Sequence, residues 1–285
     1  MRSPKIVTVV AAATLLTACT ATEEGDGNAQ PDLLATTGVW ADVAAAVTGA
    51  DVDAVITGTD VDPHHFEPTA QDLAKVKAAD TLVANGGGYD RSLYSVAEQD
   101  KVVFAIPPAE DGTEHDHHSH GTEDLDSIEH IWFNPGKVKE VAREVAQRAG
   151  GSAADVEARM GAVEAKLAEI GSVRLAATEP IATGLIYGTE LHDVTPDGYL
   201  HAALNESEPS AQDIAAFLET IEAGELDLLV YNPQSTTSAA DRIVEAAREH
   251  GVDVVEISEI PPAGTNFLDY MDSVVDQIAQ AAAHY

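Results

Sequence analysis

The chain has 285 residues, enough for two compact lobes, and its apolar share of 45% suits a chain that fills two cores rather than a disordered one. Its 49 acidic against 15 basic residues give a formal charge of −34, which repels nucleic-acid phosphates and anionic lipid surfaces, so no nucleic-acid partner is expected. The acidity reads first as a surface kept soluble.

Residues 1–18 read as an export signal, with Arg2 and Lys5 as the positive start and an apolar run over 6–16. Leu16-Thr17-Ala18-Cys19 resembles a bacterial lipobox. Cys19 is the only cysteine, so it has no disulfide partner and is expected to carry the lipid after cleavage. Residues 19–31 are small, polar and acidic, the composition of a flexible tether from a membrane anchor to a folded body. No second apolar run approaches the roughly 20 residues of a membrane span. The expected location is therefore outside the cytoplasm, lipid-anchored to the cell membrane.

From residue 32 to 150 the chain alternates β-like runs at 33–37, 53–57, 81–84 and 102–105 with helical patterns near 39–48, 69–79, 90–98 and 135–149, the signature of an α/β lobe. At DPHHFEP (62–68) Pro63 and Pro68 stiffen the backbone around His64 and His65, between a strand and a helix, where ligands of open α/β sheets collect. Residues 109–129 are rich in Asp, Glu, Gly and Ser without helix or strand periodicity, and read as a surface loop carrying His115, His117, His118 and His120. At HIWFNP, His130 is followed by an aromatic pair that packs and by Asn134-Pro135, which starts a helix. One histidine before aromatics is more often structural. Two rigid mounts flanking a His-rich loop point to a divalent metal, since imidazole is the commonest transition-metal ligand.

Residues 151–172 differ from their neighbours. Ser152 and Asp155 fit a helix start, and Val156, Met160, Val163, Leu167 and Ile170 form one apolar stripe. A helix of about 18 residues, about 27 Å long, could bridge two lobes. Alternation resumes over 173–285, with strands at 173–178, 193–195, 227–231 and 252–257 and helices near 181–190, 210–223, 236–249 and 265–283. The two halves share this pattern, and no residue-level repeat is expected between them.

The order DPHHFEPT, then Ala84-Asn85-Gly86-Gly87-Gly88-Tyr89-Asp90, the His-rich loop, HIWFNP, a long helix and EPSAQD (Glu208 to Asp213) resembles the cluster A-I solute-binding proteins of bacterial zinc and manganese ABC importers. The resemblance runs from about Leu33 to the C-terminus. It implies two (β/α)4 lobes joined by one rigid helix, with metal in the cleft and two ligands from each lobe. Carried over by position, the ligands are His64 (rather than His65), His130, Glu179 and Glu259. Glu256 is a poorer fourth candidate, and His192 and His201 are rivals that match no ligand position. His65, His115, His117, His118 and His120 are possible accessory metal residues.

Zinc leads over manganese, because affinity order favours it at a shared site and a His-rich loop is better matched to zinc than to the oxygen-preferring metals. The resemblance also implies an ABC permease as partner, a monomer, and no enzyme activity. A full set of protein ligands leaves no position for a reacting water, and no HExxH motif occurs. The competing readings are a manganese receptor of the same family, an extracellular zinc hydrolase using His64, His65 and His130, and a metal-buffering or adhesive lipoprotein without a transporter.

Overall fold

A computed structural model describes residues 32–58, 66–109, 125–205 and 207–285. Cys19, His64, His65, His115, His117, His118 and His120 lie outside the described residues.

The chain begins with β1 (Leu33–Thr37), α1 (Gly38–Thr48), β2 (Asp53–Ile56), α2 (Ala70–Ala78), β3 (Thr81–Ala84), α3 (Arg91–Tyr94) and β4 (Val102–Phe104). It continues through α4 (Pro135–Ala149) and α5 (Ala154–Glu169) to β5 (Val173–Ala177), α6 (Thr183–Ile186), β6 (Leu191–Asp193) and α7 (Asp197–Leu204). The last elements are α8 (Ala211–Glu222), β7 (Leu228–Tyr231), α9 (Ser238–Glu249), β8 (Asp253–Glu256) and α10 (Phe267–Ala282). The strands form two four-stranded sheets of matching order, β2-β1-β3-β4 and β6-β5-β7-β8, and every pairing is parallel. Strands covered on both faces read as unbroken apolar runs, and β3 (TLVA) and β7 (LLVY) are buried at every position. The fold is the expected two-lobe α/β architecture.

The interior is not two separate cores. One cluster joins the inner faces of both sheets, running from Ala35, Val39 and Val83 through Val156, Met160, Val163 and Leu167 to Leu175, Val230, Met271 and Ile278. Smaller clusters lie under the outer faces, one around Leu82 and Leu93, the other around Phe217 and Ile243. The α5 stripe lies within this shared cluster: α5 packs on α4 and α1 and also on α10. Arg159 of α5 bonds Asp269 and Asp272 of α10 at 2.7 and 2.6 Å, and Lys139 of α4 reaches Glu164 of α5 at 2.6 Å. These pairs are solvated, so the buried stripe stabilises more than they do.

Several expected boundaries move. The helix expected over 90–98 shortens to Arg91–Tyr94, and that over 181–190 becomes a 3-10 turn at Pro180–Ala182 followed by α6. The strand expected at 193–195 is β6 at Leu191–Asp193. Ala153 caps α5 without a side-chain bond, while Ser152 Oγ accepts from Ala154 N at 3.3 Å and Asp155 sits in the first turn. The unexpected helix is α7, whose Gly198 weakens the helical signal. A Cβ there would lie 2.1 Å from Asp213 Oδ1, so the glycine lets α7 and α8 meet.

A residue-level repeat is present after all. Glu67-Pro68-Thr69-Ala70-Gln71-Asp72 and Glu208-Pro209-Ser210-Ala211-Gln212-Asp213 differ at one position. Each builds a capping box on the helix it opens: Thr69 and Asp72 on α2, Ser210 and Asp213 on α8. The box on α2 also holds the Asp72 carboxyl below its ordinary range, through hydrogen bonds from the Thr69 hydroxyl and backbone N–H.

Candidate metal centre

The first-lobe side of the site is built from the turn after β3. Gly86 and Gly87 take left-handed φ of 91° and 57°, and a Cβ on Gly86 would lie 2.0 Å from the Ile106 carbonyl oxygen. The buried Asp90 carboxylate closes this turn. It accepts from Asn85 N at 2.7 Å, Gly86 N at 3.0 Å and the Thr36 hydroxyl at 2.6 Å. Burial outweighs these bonds and pushes the Asp90 carboxyl up to about 6. Asn85, held between Trp40 Nε1 at 3.2 Å and the Glu129 carbonyl at 2.9 Å, ties the turn to the residue before His130.

His130 is 4% exposed and sits among aromatic rings. Its ring centre is 5.2 Å from that of Trp132 in an edge arrangement and 6.3 Å from that of Tyr89, which itself lies 4.9 Å from Trp132. A 3-10 turn at Ile131–Phe133 follows, and Asn134 caps α4 by accepting from Lys137 N at 2.9 Å. Asn134 Nδ2 also donates to the Gly184 carbonyl of α6 at 2.9 Å, so the His130 segment is docked on the second lobe. A Cβ on Gly184 would lie 3.3 Å from Asn134 N and 3.4 Å from the His130 carbonyl oxygen, so the two segments are in direct contact.

The second lobe supplies two carboxylates from the carboxyl ends of its strands, where α/β sheets place their ligands. Glu179 follows β5 and Glu259 follows β8. His130 Nε2 lies 3.6 Å from Glu179 Oε1 and 3.9 Å from Glu259 Oε1, and the donor atoms of the three residues lie within 4.8 Å of one another. Both carboxylates are oriented by neutral donors. Asn232 Nδ2, in the turn after β7, donates to Glu179 Oε2 at 2.7 Å, and the Tyr89 hydroxyl donates to Glu259 Oε1 at 2.5 Å. Burial, and then Glu259, drive the Tyr89 phenol well above its ordinary range, so it keeps its proton and remains a donor. Tyr199, which approaches the Thr178 carbonyl at 3.4 Å, is pushed up to about 12 by burial and by Glu179.

One imidazole nitrogen and two carboxylate oxygens, all largely withdrawn from water, suit a divalent cation of intermediate hardness. Two carboxylates this close repel, and a cation between them offsets that repulsion. His130, Glu179 and Glu259 are thus brought together, each from a different segment. Glu256 points elsewhere: it is exposed and lies 3.5 Å from Arg248. His192 on β6 and His201 on α7 are exposed and outside the cluster. The sequence reading did not single out Asn232 or Gln234, although Asn232-Pro233 follows a strand as Glu179-Pro180 does.

Residues 33–281 match the model of the family described as zinc-uptake complex component A, periplasmic (ZnuA). No curated protein matches in sequence. Among solved structures, a crystal structure of ZnuA is 18% identical and covers 88% of this chain and 99% of its own, with a TM-score of 0.63. The periplasmic zinc-binding protein TroA from Treponema pallidum is 21% identical over 89% of this chain and 99% of its own, with a TM-score of 0.62. The solute-binding protein FpvC from Pseudomonas aeruginosa in complex with Mn2+ is 17% identical over 88% and 98%, also with a TM-score of 0.62. At these identities the likeness concerns the fold.

Proposed function

This chain belongs to the zinc-uptake complex component A family, and from that premise we propose that it is an extracytoplasmic receptor that captures Zn2+ and delivers it to the permease of an ABC importer. The observation that carries the reading is the convergence of His130, Glu179 and Glu259 from two lobes, with donor atoms within 4.8 Å. His64 is the proposed fourth ligand, supplied by the DPHHFEP segment. Cys19 is the proposed lipid attachment, and His65, His115, His117, His118 and His120 are accessory to the main site. Such a receptor works by binding and release, and its four protein ligands leave no position for a reacting water.

The residues divide the work. His130 is set in place by packing before metal arrives, Tyr89 and Asn232 aim the carboxylates, and the cation supplies the charge that joins the two lobes' donors. Zinc is favoured because imidazole suits it and because it outranks manganese at a shared set of nitrogen and oxygen donors. A manganese receptor is the second reading, favoured by the pair of carboxylates and by the Mn2+ complex of the structurally similar FpvC.

The test is metal analysis of the purified mature protein with zinc and manganese in competition, repeated on Glu179→Ala. One zinc per chain, displaced poorly by manganese and lost in Glu179→Ala, is expected. Retention of full zinc affinity by Glu179→Ala overturns the site assignment and favours a centre built on histidines alone.

A further inference from the structure

Each carboxylate of the centre has one oxygen engaged by a neutral side-chain donor: Glu179 Oε2 by Asn232 at 2.7 Å, and Glu259 Oε1 by Tyr89 at 2.5 Å. Asn232 is 1% exposed, and its placement is itself enforced. Its Oδ1 accepts from Gln234 N at 3.0 Å, while the Gln234 side chain both donates to the Ile260 carbonyl at 3.2 Å and accepts from Ile260 N at 3.0 Å. The turn at 232–234 therefore braces both loops that carry a carboxylate, one through Glu179 and the other beside Glu259.

Glu179 is pinned through Oε2 and turns Oε1 to His130 at 3.6 Å, which disposes it to give a cation a single bond. Glu259 accepts from Tyr89 on Oε1, the oxygen 3.9 Å from His130, so a cation would share that oxygen with the phenol and chelation through both oxygens is disfavoured. The difference between a single bond and chelation separates metals. Zinc is satisfied by four ligands in a tetrahedron, whereas manganese gains from additional oxygen ligands.

We infer that Asn232 and Tyr89 are positioning residues that set the metal preference of this centre, by restricting Glu179 and Glu259 to one metal bond each and so favouring a four-coordinate cation of the zinc type over manganese. The inference rests on the receptor reading and adds to it the residues that decide which cation the receptor keeps.

The test compares the wild type with Asn232→Ala and Tyr89→Phe in two measurements. Dissociation constants for zinc and for manganese come from competition with a chromophoric chelator, and the visible absorption of the Co2+-loaded protein reports coordination number. The ratio of zinc to manganese affinity is expected to fall about tenfold or more in Asn232→Ala, within the range of losses typical of outer partners of a metal site. Tyr89→Phe moves it in the same direction. The Co2+ bands, intense for a four-coordinate wild type, weaken as the coordination number rises in the variants. An affinity ratio and Co2+ spectrum unchanged in both variants overturn the inference, even if both affinities fall together, because that is what mere structural support does. Tyr89→Phe keeps the ring against Trp132 and decides the matter alone if Asn232→Ala does not fold. Failure of the wild type to bind either metal counts against the receptor reading instead.

Discussion

The two lobes share a scaffold and differ in how they hold a donor. Their sheets have the same strand order, and near-identical hexapeptides open α2 and α8 with the same capping box. At the site the likeness ends. His130 is positioned by rings, with Trp132 and Tyr89 centred 5.2 and 6.3 Å away, whereas Glu179 and Glu259 are positioned by hydrogen bonds of 2.7 and 2.5 Å. Imidazole has apolar faces that packing can grip and needs few donors. A carboxylate withdrawn from water needs donors, and those donors fix how it is oriented in the cleft. A repeated scaffold thus constrains where ligands stand without constraining what holds them.

The largest effect that separates the two modes is expected at Trp132, which is 1% exposed. Trp132→Ala should cost about 4 kcal/mol of stability in urea unfolding, as for other buried aromatic truncations. It should also release His130. Asn232→Ala, which removes a hydrogen bond rather than a volume, should cost about 1 to 2 kcal/mol. Equal losses in the two variants would break the distinction between packing and hydrogen bonding as the means of support.

Gly86→Ala comes next. The position combines a φ of 91° with a Cβ that would meet the Ile106 carbonyl at 2.0 Å, so the turn must open. A loss of about 3 kcal/mol is expected, from backbone strain plus the displaced strand end. Because the turn carries Tyr89, metal affinity should fall with it. A stable Gly86→Ala protein would show that the NGGGYD turn does not depend on this conformation.

Asp90 gives the turn a pH signature. Its carboxyl is raised from 3.8 to about 6, so the folded chain holds this proton more tightly than the unfolded chain does. The contribution is therefore fully present below about pH 4 and is lost as pH rises through about 6. A rise of about two pH units corresponds to about 3 kcal/mol at most, and on the order of 2 is expected once the ensemble relaxes. Unfolding free energies of the wild type and Asp90→Asn between pH 3.5 and 7 should draw apart by that amount as pH rises, with the wild type losing ground. Parallel curves would mean that Asp90 titrates alike in both states.

Much of this was legible in the residues and some was not, for definable reasons. His130, Glu179 and Glu259 were legible through the family resemblance, which places its ligands by motif and by strand order. The helpers cannot be read that way. Tyr89 matters because a first-lobe turn meets the loop after β8, and Asn232 because the turn after β7 meets the loop after β5; both are contacts between segments far apart in the chain. The α5 stripe was visible by its periodicity, but periodicity gives the width of an apolar face and not its covering. Here α4, α1 and α10 all pack on it, and the two cores merge into one cluster. Helix α7 was hidden by Gly198, a residue chosen for close approach to Asp213 at the expense of helix propensity. The hexapeptide repeat was hidden because its neighbours differ: His64-His65-Phe66 precedes one copy and Asn205-Glu206-Ser207 the other.

That repeat allows the shared scaffold to be tested at its smallest element. In the first copy Asp72 N donates to Thr69 Oγ1 at 3.2 Å and Thr69 N to Asp72 Oδ2 at 2.9 Å; in the second the corresponding distances, between Asp213 and Ser210, are 3.3 and 2.9 Å. Equal geometry at equally exposed helix starts should have equal worth. Thr69→Ala and Ser210→Ala are each expected to cost about 1 kcal/mol in urea unfolding, the usual value for a lost N-cap. The two boxes share no partner, so the double variant should lose the sum to within about 0.5 kcal/mol. Neither variant should alter the ratio of zinc to manganese affinity, because the boxes hold helices and not carboxylates. A Ser210→Ala loss well above that of Thr69→Ala would show that the second box has taken on a further task, and Gly198, packed on Asp213, identifies the docking of α7 as that task.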